Sequence, residues 1–156
     1  MMNNSLDIRQ AKHGDLPVLV GLLHQLFSLE QDFEPEPDRQ RRGLALLLDS
    51  PQAAVLVAEF EGRLVGMLTV QILVSTAQGG AVGLVEDVVV DAAHRGRGIG
   101  EAMLAYLRHW SRQRGLSRLQ LLADRDNLRA LEFYRKQGWT TTALCGLRLL
   151  LSPLEC

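Results

Sequence analysis

The stretch "DAAHRGRGIGEAML" occupies Asp91–Leu104 and follows directly on the apolar run "VGLVEDVVV", Val82–Val90. Its glycines alternate at Gly96, Gly98 and Gly100, with Arg95 and Arg97 among them. The run before it has the length and β-branched content of a buried strand. From Gly98 or Ile99 to Arg114, apolar residues recur at Ile99, Met103, Leu107 and Trp110, which predicts an amphipathic helix ending near Gly115. "SRLQLLA", Ser117–Ala123, reads as a second strand. A strand, a crossover helix and a strand form a βαβ unit, so these two strands are expected to be parallel, with a right-handed connection. The glycine-rich turn that opens the helix is then a place for an anion. The first helical N–H groups have no partner in the helix, and the helix dipole is positive there. Glycine lets the backbone come close to a phosphate, and the two arginines add charge and guanidinium donors.

The remaining elements are read outward from this unit. "LDIRQA", Leu6–Ala11, is a short strand candidate, and Asp15 is placed to cap a helix through "LPVLVGLLHQLFSLE". "FEPEPD", Phe33–Asp38, interrupts the helical pattern, because two prolines rule out a helix there. A second helix is expected over "RQRRGLALLLDS", stopping before Pro51. "AAVLVAEFEGRLVGMLTVQILVS" reads as two strands around a hairpin turn at Glu61-Gly62-Arg63. "NLRALEFYRKQG", Asn127–Gly138, is a helix with a C-terminal glycine, and "WTTTALCGLRLLLS" closes with one or two strands. The order β-α-α-β-β-β-α-β-α-β-β predicts one α/β domain over residues 1–156. Its single mixed, mostly antiparallel sheet is expected to hold about 6–7 strands, with helices on both faces.

The bulk properties fit one soluble, globular domain with a sizeable core. The chain has 156 residues, 47% hydrophobic and 22% charged, with a net charge of −1. That balance gives no general pull toward nucleic acid or a membrane surface. Arg108, His109, Arg112, Arg114 and Arg118 cluster in sequence, but the chain has few aromatics to stack bases and its net charge is not basic. The two cysteines, Cys145 and Cys156, show no metal-ligand spacing, which points to a reducing, cytoplasmic setting. The first residues carry no apolar signal region, and no apolar run is long enough for a membrane span. His13, His24 and His109 lie apart with no ligand spacing, so no metal is expected. The segment is neither G-x-G-x-x-G nor G-x-x-x-x-G-K-[ST], so the Rossmann and Walker phosphate loops do not fit.

It does read R-x-x-G-x-G at Arg95, Gly98 and Gly100. Here the sequence resembles the GNAT superfamily of acetyl-CoA-dependent N-acetyltransferases. A second matching feature is Asn127 followed by Phe133 and Tyr134 on the next helix. The sharp part of the resemblance runs from about Val82 to Trp139, and the element order agrees over nearly the whole chain. The resemblance implies that Arg95, Gly96, Arg97, Gly98, Ile99 and Gly100 hold the pyrophosphate of coenzyme A. It also implies that the backbone of Val88, Val89 and Val90 pairs with the pantetheine arm as an added strand would. That requires a gap beside this strand. Asn127 and Tyr134 would border the same cofactor, with Asn127 also able to cap its helix. Acetyl-CoA is the implied cosubstrate, an amine-bearing acceptor the implied partner, and a homodimer is common in such proteins.

The strand before the loop holds an anomaly. Glu86 and Asp87 sit in the middle of an otherwise apolar run, where acids are costly unless paired or functional. Neighbouring strand residues point to opposite faces, so the two cannot share one cleft unless a bulge intervenes. An amine must be neutral to attack a thioester, and with a pKa of about 10.4 its deprotonation at pH 7 costs roughly 4–5 kcal/mol. A nearby carboxylate can take that proton. The resemblance places acidic residues of this strand in that role. Glu86 is the first candidate, by its parity with Val88 and Val90, and Asp87 is the second. Tyr134 is the residue the resemblance implies as acid for the departing thiolate.

The resemblance leaves the acceptor open. Similar proteins acetylate amino sugar phosphates, other small amines or proteins, and a non-catalytic acyl-CoA sensor would share the loop. The acidic segment "LEQDFEPEPD" offers Glu30, Asp32, Glu34 and Glu36 as attractors for a cationic amine. Cys145 is expected as a small core or strand residue, Trp110 and Trp139 as packing residues, and His94 as a solvated neighbour of the loop.

Overall fold

The computed structural model describes residues 5–30 and 34–152. It divides into two compact units, Met1–Leu121 and Leu122–Cys156.

The first unit is built on a five-stranded sheet in the order β1-β2-β3-β4-β5. The strands are β1 (Leu6–Gln10), β2 (Ala53–Phe60), β3 (Arg63–Ser75), β4 (Gly80–Val90) and β5 (Leu119–Leu121). The first three pairings are antiparallel and β4–β5 is parallel. The β2–β3 hairpin closes with Phe60 opposite Arg63, and its two turn residues, Glu61 and Gly62, both have positive φ. That is the backbone twist a two-residue hairpin turn requires.

The helices of this unit are α1 (Leu16–Leu29), α2 (Pro37–Asp49) and α3 (Ile99–Gln113). Leu16, Leu19, Leu22 and Leu23 of α1 and Leu44 of α2 pack with Val55, Val57, Met67 and Val89 in one apolar layer. Alternate residues of the same strands turn to the other face, where Gly66 lies under α3. A Cβ on Gly66 would stand 3.1 Å from the Met103 sulfur, so glycine allows α3 to lie close to the sheet. Helices therefore cover both faces, as the sequence pattern predicts.

Two local readings are corrected in this unit. Helix α2 begins at Pro37, inside the segment expected to be non-helical. Proline is tolerated in a first helical turn because the N–H it lacks has no partner there in any helix. Gln40 completes that turn by accepting a hydrogen bond from the Glu36 amide at 2.7 Å. Asp15 stands at the N-cap of α1 but does not cap it with its side chain. Its carboxylate is held instead by the Arg9 guanidinium at 2.9 Å and the Lys12 amide at 2.8 Å.

The second unit contains α4 (Leu128–Lys136). Asn127 caps it, its side chain accepting from the Ala130 amide at 3.1 Å. The rings of Phe133 and Trp139 both meet Tyr134 edge to face. The expected closing strands are not formed: residues 139–152 contain no strand, and among the described residues the sheet has five strands rather than 6–7. Thr and Leu favour extended backbone, but a strand also needs a neighbour to pair its N–H and C=O groups. Here Leu144, Leu147, Leu149, Leu150 and Leu151 are exposed, and so is Cys145, which is neither core nor strand.

Candidate active site

The functional geometry of the first unit centres on β4 and the turn that follows it. On the β3 side, Thr69 pairs with Glu86 and Met67 pairs with Val89, so Asp87 and Val88 stand opposite Leu68 alone. This is a β-bulge, and Asp87 adopts a left-handed backbone with φ of 55°. Aspartate is among the residues that tolerate this conformation best. The bulge breaks the simple alternation along β4 and gives the two acids different surroundings. Glu86 is exposed and Asp87 is half-buried. The Thr69 hydroxyl donates to the Asp87 Oδ2 at 3.3 Å and reaches the Glu86 carbonyl at 3.2 Å. Burial is the largest influence on Asp87, and with the charges of Glu86 and Glu30 it outweighs the Thr69 bond, raising the carboxyl to a pKa of about 6.

On its other side β4 pairs with β5 only through Gly83–Val85 opposite Leu119–Leu121. From Glu86 to Val90 that edge has no strand partner among the described residues. Val88, Val89 and Val90 thus border an open strand edge of the kind that accepts an extended ligand.

The chain leaves β4 through a short turn, Ala92–His94, and enters α3 at Ile99. Gly96 and Gly98 have φ of 76° and 77°, so these two glycines serve a left-handed backbone, whereas Gly100 lies in the first turn of α3. A Cβ at Gly98 would meet nothing within 4 Å, so conformation rather than crowding selects glycine there. No side chain caps α3. Its first backbone bond runs from Ala102 to Gly98, leaving the amides of Ile99, Gly100 and Glu101 outside the helical ladder. Arg95 and Arg97 are exposed beside them. Arg95 donates through Nε to the Val90 carbonyl at 3.2 Å, and Arg97 lies over the Phe60 ring, 5.7 Å from its centroid. Free helical amides with two adjacent guanidinium groups form a donor set suited to a phosphate-bearing anion.

His94 is less solvated than expected. Its Nδ1 lies 2.7 Å from the Asp91 Oδ2, and its ring stands edge-on to Phe60. A hydrogen bond from Gln25, and after it the His94 contact, hold the Asp91 carboxyl below the usual carboxylate range. Sequence reasoning missed Gln25, Phe60 and Thr69. Thr69, a lone polar residue within "MLTVQILV", carried a signal; Gln25 and Phe60 carried none that sets them apart.

Residues 23–139 match the acetyltransferase (GNAT) family. The chain belongs to that family. Members of that family are acetyltransferases that use acetyl-CoA as cosubstrate. The chain is 39% identical over 79 residues to a glucosamine 6-phosphate N-acetyltransferase of Trypanosoma brucei brucei, covering 50% of this chain and 52% of that protein. It is 26% identical over 133 residues to an aminoalkylphosphonate N-acetyltransferase of Salmonella typhimurium, covering 85% and 84%. Among solved structures it resembles a transcriptional regulator from Bacillus halodurans C-125, with a TM-score of 0.81 and 28% identity over 94% of this chain and all of that one. The match to the trypanosomal enzyme thus spans about half of that protein's length.

The GNAT signature lies on the elements just described: R-x-x-G-x-G runs from Arg95 to Gly100 into α3, and the second motif runs from Asn127 to Tyr134 along α4. No group of three or more His, Cys, Asp and Glu among the described residues is placed to hold a metal, and no described helix is long and apolar enough to cross a membrane.

Proposed function

We propose that this GNAT acetyltransferase transfers acetyl from acetyl-CoA to a primary amine by direct attack in a ternary complex, with Asp87 as the general base. The observation that carries the assignment is the bulge. It places a half-buried carboxyl with a pKa of about 6 on the strand that runs into the anion-binding turn. Such a carboxyl is largely ionised at pH 7 and more basic than an ordinary carboxylate, which suits a group that accepts the amine's proton as the C–N bond forms. Glu86, the first choice on strand parity, is exposed, and it acts here through its charge on Asp87.

The residues divide the work as follows. The amides at the start of α3, with Arg95 and Arg97, bind the pyrophosphate, and the free edge of Val88–Val90 receives the pantetheine arm. Acetyl-CoA supplies an acyl carbon activated as a thioester. Asp87 removes the proton that the attacking nitrogen must lose, a new C–N bond forms, and the C–S bond breaks. The Tyr134 hydroxyl gives its proton to the departing sulfur. Asn127 positions α4 by capping it.

The acceptor is a primary amine of a small molecule or a protein. Glu30 acts on Asp87, which supports an acidic approach path favouring a cationic amine; Glu34 and Glu36 extend the same charge in sequence. Asp32 lies outside the described residues. A second reading, an amino sugar phosphate, draws on the trypanosomal relative. A homodimer would give the exposed leucines between Leu144 and Leu151 an apolar partner surface. A cytoplasmic location fits the free, exposed Cys145.

Thiol release from acetyl-CoA, measured across a panel holding a diamine, glucosamine 6-phosphate, an aminoalkylphosphonate and a peptide with a free N-terminus, tests this reading. Turnover with at least one amine is expected. Tight CoA binding with no turnover on any class of amine would instead make the protein an acyl-CoA sensor.

A further inference from the structure

The anion-binding turn is braced from α1. Gln25 lies one turn after Leu22, whose side chain is buried in the apolar layer. Its amide makes two bonds to the start of the turn. Nε2 donates to the Asp91 Oδ1 at 2.8 Å, and Oε1 accepts from the Ala92 amide at 3.1 Å. The other Asp91 oxygen lies 2.7 Å from the His94 Nδ1. The His94 ring meets Phe60 edge to face, at 6.1 Å between centroids, and Phe60 in turn carries the Arg97 guanidinium on its face. Contacts thus run without a gap from a core helix to a guanidinium of the anion cradle. The Asp91 amide is itself tied to the sheet through the Val65 carbonyl at 2.7 Å, so the start of the turn is fixed on two sides.

We infer that Gln25, acting through Asp91, His94 and Phe60, is a positioning residue that holds Arg97 in place for the pyrophosphate. An arginine on an exposed turn loses rotamer freedom when it binds a phosphate, and a preset guanidinium loses less. Arg97 is preset by the Phe60 face. Phe60 keeps its orientation against His94, which Asp91 and Gln25 fix. Gln25 touches no substrate in this scheme. Its effect passes wholly through Arg97, and that gives the inference its test. The inference rests on the proposed binding of CoA at this turn.

The experiment is a double-mutant cycle read by calorimetric titration of CoA into the full chain. The variants are Gln25→Ala, Arg97→Ala and the pair, with Gln25→Met as a variant that keeps the packing volume and loses both amide bonds. Gln25→Ala and Gln25→Met are each expected to raise the Kd for CoA about fivefold in the Arg97 background, and by less than about twofold once Arg97 is alanine. In Gln25→Ala and Gln25→Met with Arg97 intact, kcat at saturating acetyl-CoA stays at the wild-type value. A fivefold effect that persists without Arg97, or no effect of Gln25→Met in its presence, overturns the inference while leaving CoA binding intact. A wild-type protein that binds no CoA overturns the binding proposal and this inference with it.

Discussion

The Thr69 hydroxyl donates to the Asp87 carboxylate at 3.3 Å, across a bulge that leaves Leu68 facing two residues of β4. The bond favours the charged form of Asp87, while burial and the Glu86 and Glu30 charges oppose it. The balance sets the pH at which this carboxyl ionises.

With Asp87 as base, kcat/KM rises with pH on a limb centred at about 6, because only the deprotonated carboxyl accepts the proton. Asp87→Asn is expected to lower kcat/KM by about 10²–10⁴ and to abolish that limb. Thr69→Val removes a bond to the charged form and moves the limb to higher pH. Glu86→Gln removes a repelling charge and moves it to lower pH while turnover survives. Loss of turnover in Glu86→Gln with retention in Asp87→Asn would return the role to Glu86. The same shift affects stability. A carboxyl raised in the folded state favours folding below its unfolded pKa, and that contribution is lost as pH rises through about 6. Asp87→Asn should therefore raise Tm at pH 8, on the order of 2–4 °C, and leave it near wild type at pH 4.

Asp15 shows the opposite sign. Its hydrogen bond with Arg9 lowers its pKa in the folded state, so its contribution is present above the unfolded value and lost as pH falls through the folded one. Arg9 also reaches Glu59 at 3.2 Å and so ties the start of α1 to the β1–β2 pair. Asp15→Asn is expected to cost about 1 kcal/mol at pH 7, with the difference from wild type shrinking below about pH 4. Denaturant titrations at both pH values measure it.

Gly98 sits at φ of 77°, with open space where a Cβ would be. Gly98→Ala therefore adds strain without a clash. The expected cost is about 1 kcal/mol of stability, together with weaker CoA binding as the first amides of α3 tilt. Gly98→Asn, which tolerates the left-handed region better, should lose less of both.

Tyr134→Phe is expected to lower kcat while leaving the Kd for acetyl-CoA within about twofold of wild type, the separation that marks a group acting in the transition state. An unchanged kcat would leave Tyr134 as a packing residue between Phe133 and Trp139.

The glycine turn between β4 and α3 was legible because its signal is local. Arg95, Gly98 and Gly100 stand between an apolar strand and an amphipathic helix, and each can be assigned from its neighbours in sequence. The hairpin at Glu61-Gly62 was legible for the same reason. The different surroundings of Glu86 and Asp87 were not, because they depend on a bulge set by the β3 register. Two adjacent acids in an apolar run signalled that simple alternation would fail, without saying which acid would be buried. Pro37 misled because proline excludes helix interiors but suits first turns. The leucines after Leu144 misled because strand propensity says nothing about whether a pairing edge is available.

The measurement that tests the central claim most directly is thermal unfolding with acetyl-CoA, CoA, NADH or no ligand. A ligand at about 100 times its Kd adds roughly 2.7 kcal/mol to the folded state. For a chain of this size that is a rise in Tm on the order of 5–10 °C. The account predicts that rise with both CoA species and none with NADH. An unchanged Tm with acetyl-CoA and CoA would contradict it, and would leave the glycines of the β4–α3 turn serving only its backbone.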